Sequence, residues 1–382
     1  MSKRTTLLGI ALALALGVRS YAEVVRARTP IRIPDISGYV TLKCDFHIHT
    51  VFSDGNVWPA VRSEEAWREG LDAIAITDHI EYQPHKDDLP TNHSRSFEIA
   101  KNPGDALGLI VIRGSEVTRK MPPGHINAIF LQSNPPLDTP EWRDALKIAS
   151  DQGAFIFWNH PGWTGQQPDG LARWYAEHTE LFDKHLIQGI EVVNYRDYYP
   201  EVHRWALEKN LTMMGNSDVH DPIGMGFDTD HQERRPLTLV FATEKRPEAI
   251  KEALLARRTA VLFGDMLIGR KEYLEPIFKA SIQVINPSVI VKGKGLALVQ
   301  ISNNSDIDFQ MIGNNRSDEV TGSSRLVLHA GKTVLLQIRG NSETTTGKKT
   351  VELKYTVKNL KVTPEEGLSV VIPVEVNFVP TK

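Results

Sequence analysis

Between residues 41 and 270, short apolar runs alternate with amphipathic stretches, and no other feature constrains the fold as tightly. The apolar runs fall at 40–46, 71–77, 108–118, 125–131, 154–159, 189–194, 211–216 and 236–242. They are rich in β-branched and aromatic residues and are bounded by turn residues, which is the pattern of strands. The stretches between them read as helices. Pro59 to Glu69 ends at Gly70, and Pro140 to Gln152 follows Thr139 as a cap and ends at Gly153. Further helices are expected over 171–185, 200–209 and 247–257. Proline just inside a start and glycine just past an end are proper helix punctuation. Repeated strand–helix units specify a mainly parallel sheet, and seven or eight such units favour closure into a barrel. No G-x-G-x-x-G follows a strand, so a dinucleotide-binding fold has no support.

After about residue 276 the helical signal fades. "FKASIQVIN", "LALVQISN", "IDFQMIG", "SRLVLHAG", "KTVLLQIRG", "KKTVELKYTV" and "LSVVIPVEVNFV" read as strands separated by turns, the layout of a small all-β sandwich. The expected organisation is an α/β barrel over 40–275 and a β-sandwich over 276–382, preceded by a lead-in segment over 23–39. Residues 1–22 differ in kind: "MSKR" is basic, "TTLLGIALALALGV" is apolar, and "SYA" ends in a small residue. That is the layout of a secretory signal peptide cleaved after Ala22. The mature chain is then expected in a secreted or periplasmic setting, with no membrane span. Loss of Lys3, Arg4 and Arg19 takes the net charge from −3 to −6. An acidic surface argues against a dedicated nucleic-acid binder. The single cysteine, Cys44, rules out an intramolecular disulfide.

The chemistry begins at "DFHIHTVFSDG", residues 45–55. Side chains alternate faces along a strand, so His47 and His49 point the same way. An isolated pair of this kind is explained by two satisfied polar residues. Further signals, however, recur at strand ends: Asp78 and His79 close "AIAITDH", Glu116 lies in "VIRGSEVT", and His160 closes "AFIFWNHPG". Asp218 and His220 close "MMGNSDVH", and the loop "VFSDG" adds Asp54. His125 stands instead at the start of its strand. Residues at C-terminal strand ends of a barrel converge on one face. Six histidines and three carboxylates form an N/O donor set suited to Zn, Mn or Fe. Nine ligands exceed the capacity of one ion, so two or three divalent metals are implied.

The ordered set H-x-H-T, S-D-G, T-D-H, an isolated Glu, G-H, N-H-P and S-D-x-H resembles the polymerase and histidinol phosphatase (PHP) superfamily over about residues 40–265. The resemblance implies a distorted (β/α)7 barrel with a trinuclear metal centre. It assigns His47, His49, Glu116 and Asp218 to a first metal, and Glu116, His125 and His160 to a second, with Glu116 bridging. Asp54, His79 and His220 fall to a third. The export signal and β appendage make the chain similar to secreted bacterial PHP proteins, some of them phosphodiesterases.

Clustered divalent ions lower the pKa of bound water and neutralise phosphoryl oxygens. The expected reaction is therefore hydrolysis of a small-molecule phosphoester, foremost a phosphodiester, by a metal-bridging hydroxide. Glu116 and Asp218 carry it as ligands, and Asp78 is expected to orient a ligand imidazole or a water. Arg119, Lys120, Asn194 and Arg196 are candidates to grip the substrate. His85 and His93 lie in a long loop, 80–106, expected as a lid, and Trp158 and Trp163 flank His160. Three rival readings compete with this one. A phosphomonoesterase would use the same site. An amidohydrolase-like enzyme also starts from H-x-H, but no lysine stands at a strand end to bridge metals. An adhesion or sugar-binding module would not need an intact donor set.

Overall fold

The computed structural model describes residues 27–228 and 233–382. The expected signal peptide, residues 1–22, lies outside them. Among the described residues no helix is long and apolar enough to cross a membrane.

Strands β1 (Val40–Asp45), β2 (Ala73–Ile76) and β3 (Ile110–Val117) run parallel. β4 (Ile126–Ile129) then runs antiparallel to both β3 and β5 (Phe155–Trp158). Parallel order resumes in β6 (Gly189–Asn194), which forms a hairpin with the short β7 (Asp197–Tyr198) and pairs in parallel with β8 (Thr212–Asn216). Beyond the other edge of β1, β9 (Leu237–Ala242), β10 (Thr259–Phe263) and β11 (Met266–Gly269) form an antiparallel meander. The barrel closes just past β1 and β8. There the Asp218 N–H donates to the His47 carbonyl at 2.9 Å and the His49 N–H to the Val219 carbonyl at 3.1 Å. Every residue of β2, β4, β5, β6, β8 and β9 is buried. Burial on both faces is why these strands read as apolar runs and not as alternating ones.

Helices α1 (Pro59–Arg68), α2 (Arg95–Ala106), α3 (Trp142–Asp151), α4 (Ala176–Asp183), α5 (Pro200–Glu208), α6 (Ile223–Gly226), α7 (Pro247–Leu255) and α8 (Lys271–Ser281) accompany the sheet. Three expectations need correction. The last 12 residues of the expected loop 80–106 are α2, hidden in the sequence by Pro103 and Gly104. Gly104 is required there, because a Cβ would meet Val111 Cγ2 at 2.3 Å. Thr139 does not cap α3, which starts at Trp142; its hydroxyl donates to the Glu141 carbonyl. The first four residues of "FKASIQVIN" complete α8, so the helix spans the expected junction at 276.

The C-terminal part comprises β12 (Ile282–Val284), β13 (Ser288–Lys292), β14 (Leu296–Asn303), β15 (Phe309–Ile312), β16 (Val320–Gly322), β17 (Arg325–Leu328), β18 (Thr333–Gly340), β19 (Gly347–Lys361) and β20 (Gly367–Val379). One sheet is β12-β14-β18-β16, and the other joins β13, β20, β19, β15 and β17. Alternating burial along β13, β14 and β20 marks one face toward a shared core. The sandwich is bound to the barrel by backbone, since β19 pairs in parallel with β11 through Leu267 and Leu360. The lead-in segment adds a second tie. Arg32 donates to Asp306 from its backbone N–H and its Nε, and its carbonyl accepts from the Asp306 N–H.

Candidate metal centre

β1 ends at Asp45, and the chain continues extended through His47 and His49 beside 217–219. Alternation turns both imidazoles inward and Phe46 and Ile48 into the hydrophobic core. β2 delivers Asp78 and His79, β3 delivers Glu116, β5 delivers His160, and β8 delivers Asp218 and His220. The antiparallel course of β4 explains His125: the start of that strand lies at the same end of the barrel as the C-terminal ends of its parallel neighbours. His160 and Asp218 both adopt left-handed backbone conformations, with φ of 27° and 52°. Such conformations cost on the order of 1–3 kcal/mol and cluster at functional sites.

All nine residues expected as ligands converge. Among the described residues, four overlapping groups present donor atoms within 4.8 Å of one another: His49, Asp54, His79 and His220; His47, His49 and Glu116; His47, His160 and Asp218; and His79, Glu116 and His125. Glu116 lies at the centre. Its Oε2 is 3.4 Å from His47 Nε2, 3.3 Å from His49 Nε2 and 2.9 Å from His79 Nδ1. Its Oε1 is 3.0 Å from His125 Nδ1 and 3.7 Å from His160 Nε2. The Asp54, His79 and His220 group recurs, with His49 added. His125 and His160 fall into different groups here, although both face Glu116.

The hydrogen bonds behind the rings test whether a cation fits. His47 Nδ1 lies 2.9 Å from Glu191 Oε1 and donates to it. His49 Nδ1 faces Ser53 Oγ at 3.3 Å, and that hydroxyl donates to Asp78 at 2.7 Å. Both rings thus carry Nδ1–H, and their Nε2 atoms face each other across 3.1 Å. Asp218 Oδ1 stands 3.2 Å and 3.1 Å from the same two nitrogens. These three acceptors repel unless a positive charge lies among them, a metal ion or, in the metal-free chain, a proton, since Asp218, Glu191 and Glu116 raise His47 above its ordinary range against its burial. The spacing fits: ligands about 2.0–2.1 Å from a tetrahedral ion lie roughly 3.3 Å apart. Asp54 Oδ1 and Glu116 Oε2 are moreover buried without a hydrogen-bond partner, which is costly unless a charge compensates them.

In the metal-free chain protons take the cation's place. Burial alone would raise the Asp54, Glu116 and Asp218 carboxyls, but the surrounding imidazoles overcome it and hold all three well below the usual range. Burial would lower His79, yet the Glu116 and Asp54 carboxylates raise it to about 10. Asp54 and Asp218 likewise raise His220 to about 8 against its burial.

Several candidates fall elsewhere. Asp78 touches no imidazole: it accepts from the Thr50 N–H and hydroxyl and from Ser53, so it braces the loop that carries Asp54 and reaches His49 only through Ser53. Arg119 is held by Glu81 and by the Thr118 and Thr139 carbonyls beside a neighbouring hollow that also receives His93. Lys120 is exposed, and Arg196 is drawn to the Gly226 carbonyl and Glu233. Asn194 lines the cavity over the centre, as does Trp163, whereas Trp158 is core, stacked on His178 at 3.6 Å.

Two supporting residues were not singled out from the sequence. Glu191, fully buried, accepts from His47, from Asn216 at 2.9 Å, from Asn194 at 2.8 Å and from the His160 N–H at 2.7 Å. Its signal was a lone carboxylate in the apolar run "GIEVVN". Arg62, buried on α1, donates to the carbonyls of His49, Val219, His220 and Asp221 and so ties the two ligand loops together.

The comparisons with known proteins agree with this geometry. The solved structure of a two-domain protein from Bacteroides vulgatus, described as containing a predicted PHP-like metal-dependent phosphoesterase, matches with a TM-score of 0.85 and 42% identity. The match covers 91% of this chain and 99% of that one. An uncharacterized protein of Methanocaldococcus jannaschii is 32% identical over 200 residues, which is 47% of this chain and 83% of that protein. Residues 282–373 match a family of Ig-like domains. The chain belongs to the PHP-like family, in a two-domain form with an Ig-like domain after the barrel.

Proposed function

We propose that this protein is a metal-dependent phosphoester hydrolase, acting on phosphodiesters in preference to monoesters, outside the cytoplasm. Its ligands in this reading are His47, His49, Asp54, His79, Glu116, His125, His160, Asp218 and His220, holding two to three divalent ions. The observation that carries the proposal is the convergence of six imidazoles and three buried, ionised carboxylates, with donor atoms within 4.8 Å of one another in four overlapping groups. Bound Zn, Mn or Fe would supply Lewis acidity and a hydroxide source near neutral pH. The carboxylates of Glu116 and Asp218 stay ionised, so they serve as ligands and not as proton donors. Glu191 and Ser53 hold the His47 and His49 rings in the tautomer that ligation needs. The preference for diesters draws support from the cavity lining, which among the described residues includes no lysine or arginine. A monoester dianion would need such a group for its extra charge, whereas a diester carries one charge fewer. The missing lysine likewise disfavours the amidohydrolase-like alternative. Export draws its support from the sequence of residues 1–22 alone.

The test is hydrolysis of bis(4-nitrophenyl) phosphate against 4-nitrophenyl phosphate by the mature protein loaded with Mn or Zn. The expected result is a diester preference that His47→Ala and chelation abolish. A preference for the monoester would refute the diester assignment. Silence on both with metal bound would refute the hydrolase reading for simple phosphoesters.

A further inference from the structure

The cavity over the centre has a volume of about 620 Å³ and two unlike walls. The deep wall carries ligand residues. The outer wall carries Tyr82, Trp163 and Tyr195, which are 52%, 43% and 39% exposed. Two of these stand against ligand rings: Tyr82 is 5.9 Å from the His79 ring, and Trp163 is 5.3 Å from His160 and 5.7 Å from His125. Tyr195 is set at the β6–β7 turn with a left-handed φ of 51°, a conformation a bulky residue rarely adopts. Its N–H donates to the Asn216 carbonyl, and its ring packs edge-on against Phe227 at 5.3 Å. The exposed carboxylates of Asp197 and Asp221 also line this wall. Asp221 accepts from Asn56.

We infer that the outer wall binds an ammonium group on the alcohol of a zwitterionic phosphodiester. This deepens the phosphodiesterase reading and rests on it. Aromatic faces attract cations through their quadrupole, and neighbouring carboxylates add to that attraction. A neutral planar base would gain from the aromatic faces, and from Asp197 or Asp221 only a hydrogen bond to an amino group, without the charge attraction a cation has to both. A second anionic group would be repelled by both. The Arg196 guanidinium already stands 5.7 Å from the Tyr195 ring, so a cation gains chiefly from Tyr82, Trp163 and the two carboxylates while its phosphate lies toward the centre. Hydrolysis adds water across one ester bond. A new P–O bond forms, the P–O bond to one alcohol breaks, and that alcohol leaves with a proton from the water.

The experiment compares 4-nitrophenyl phosphorylcholine with its carbon isostere, 4-nitrophenyl 3,3-dimethylbutyl phosphate, using the metal-loaded full chain. The two esters share leaving group and shape and differ by one charge. The expected kcat/KM is roughly tenfold higher for the choline ester, and the ratio falls toward one in Trp163→Ala and in Asp197→Asn. Equal rates on the two esters overturn the inference, as does a preference for thymidine 5′-(4-nitrophenyl phosphate) over the choline ester. If no diester is hydrolysed, the phosphodiesterase reading fails by itself, and calorimetry decides the binding claim. Phosphocholine binding roughly tenfold tighter than 3,3-dimethylbutyl phosphate supports the ammonium site, and equal binding refutes it. Glycerophosphocholine and phosphatidylcholine vesicles, assayed in parallel, show whether the ester is soluble or a lipid; turnover of either supports the site.

Discussion

Glu191→Gln changes one atom's chemistry and leaves the shape alone, so it isolates what the carboxylate contributes. Glu191 accepts four hydrogen bonds, two on each oxygen. An amide nitrogen cannot accept. Placed on the Oε1 side, it would strand His47 Nδ1–H and Asn216, which cannot flip because its own carbonyl oxygen accepts from the Phe46 N–H at 2.9 Å. Placed on the Oε2 side, it lets Asn194 flip and strands the His160 N–H alone. The second arrangement is cheaper. It loses one charge-assisted bond and weakens the others, a cost of about 2–4 kcal/mol. Weaker support for the His47 ring should also lower metal affinity roughly 10–100-fold. Urea unfolding of the metal-free protein reads the first effect, and metal titration against a competing chelator reads the second. A variant within about 1 kcal/mol of wild type, with unchanged metal affinity, would refute the claim that Glu191 orients the site.

Arg62→Lys should cost about 3–5 kcal/mol, because an ammonium cannot reach the four carbonyls that the guanidinium spans; denaturant unfolding checks it, and a loss below 1 kcal/mol would deny the loop-tying role. Asp54→Ala removes the carboxylate shared by His79 and His220 and should lower bound metal by one ion per chain, read by elemental mass spectrometry. His178 supplies a pH test away from the centre. Burial lowers its pKa to about 4, and its Nδ1 accepts from the Tyr175 N–H while its Nε2 donates to the Pro123 carbonyl. The unfolded ring titrates near 6.5, so the unfolded chain binds the extra proton between these values. The neutral ring's contribution is full above pH 6.5 and is lost as pH falls toward 4, by up to about 3 kcal/mol. Unfolding of the metal-free protein at pH 7 and pH 4.5 should show a smaller drop in His178→Gln than in wild type; equal drops would contradict the assignment.

Much of this site was legible because strand alternation is local. His47 and His49 two apart, and Asp218 and His220 two apart, declare a shared face from spacing alone. His125 could not be placed that way, since its position depends on β4 reversing direction, which is a fact of topology. Glu191 escaped notice because one carboxylate in an apolar run looks like an ordinary strand residue until its four donors are seen. The basic candidates failed for a different reason. Arg119 and Arg196 lie close to site residues in sequence, but Glu81 and Glu233 capture their side chains, and partners of that kind are set by tertiary packing. The helix α2 was hidden because Pro103 and Gly104 break the usual pattern, while close packing on β3 makes that glycine necessary.

The most direct test of the central claim is metal stoichiometry. Mature protein loaded with Mn or Zn, dialysed and measured by elemental mass spectrometry, should hold two to three ions per chain. Glu116→Ala, which removes the carboxylate facing five histidines, should lose most of them while remaining folded by circular dichroism. One ion or none in the folded wild-type protein, or full loading of the variant, would contradict the account.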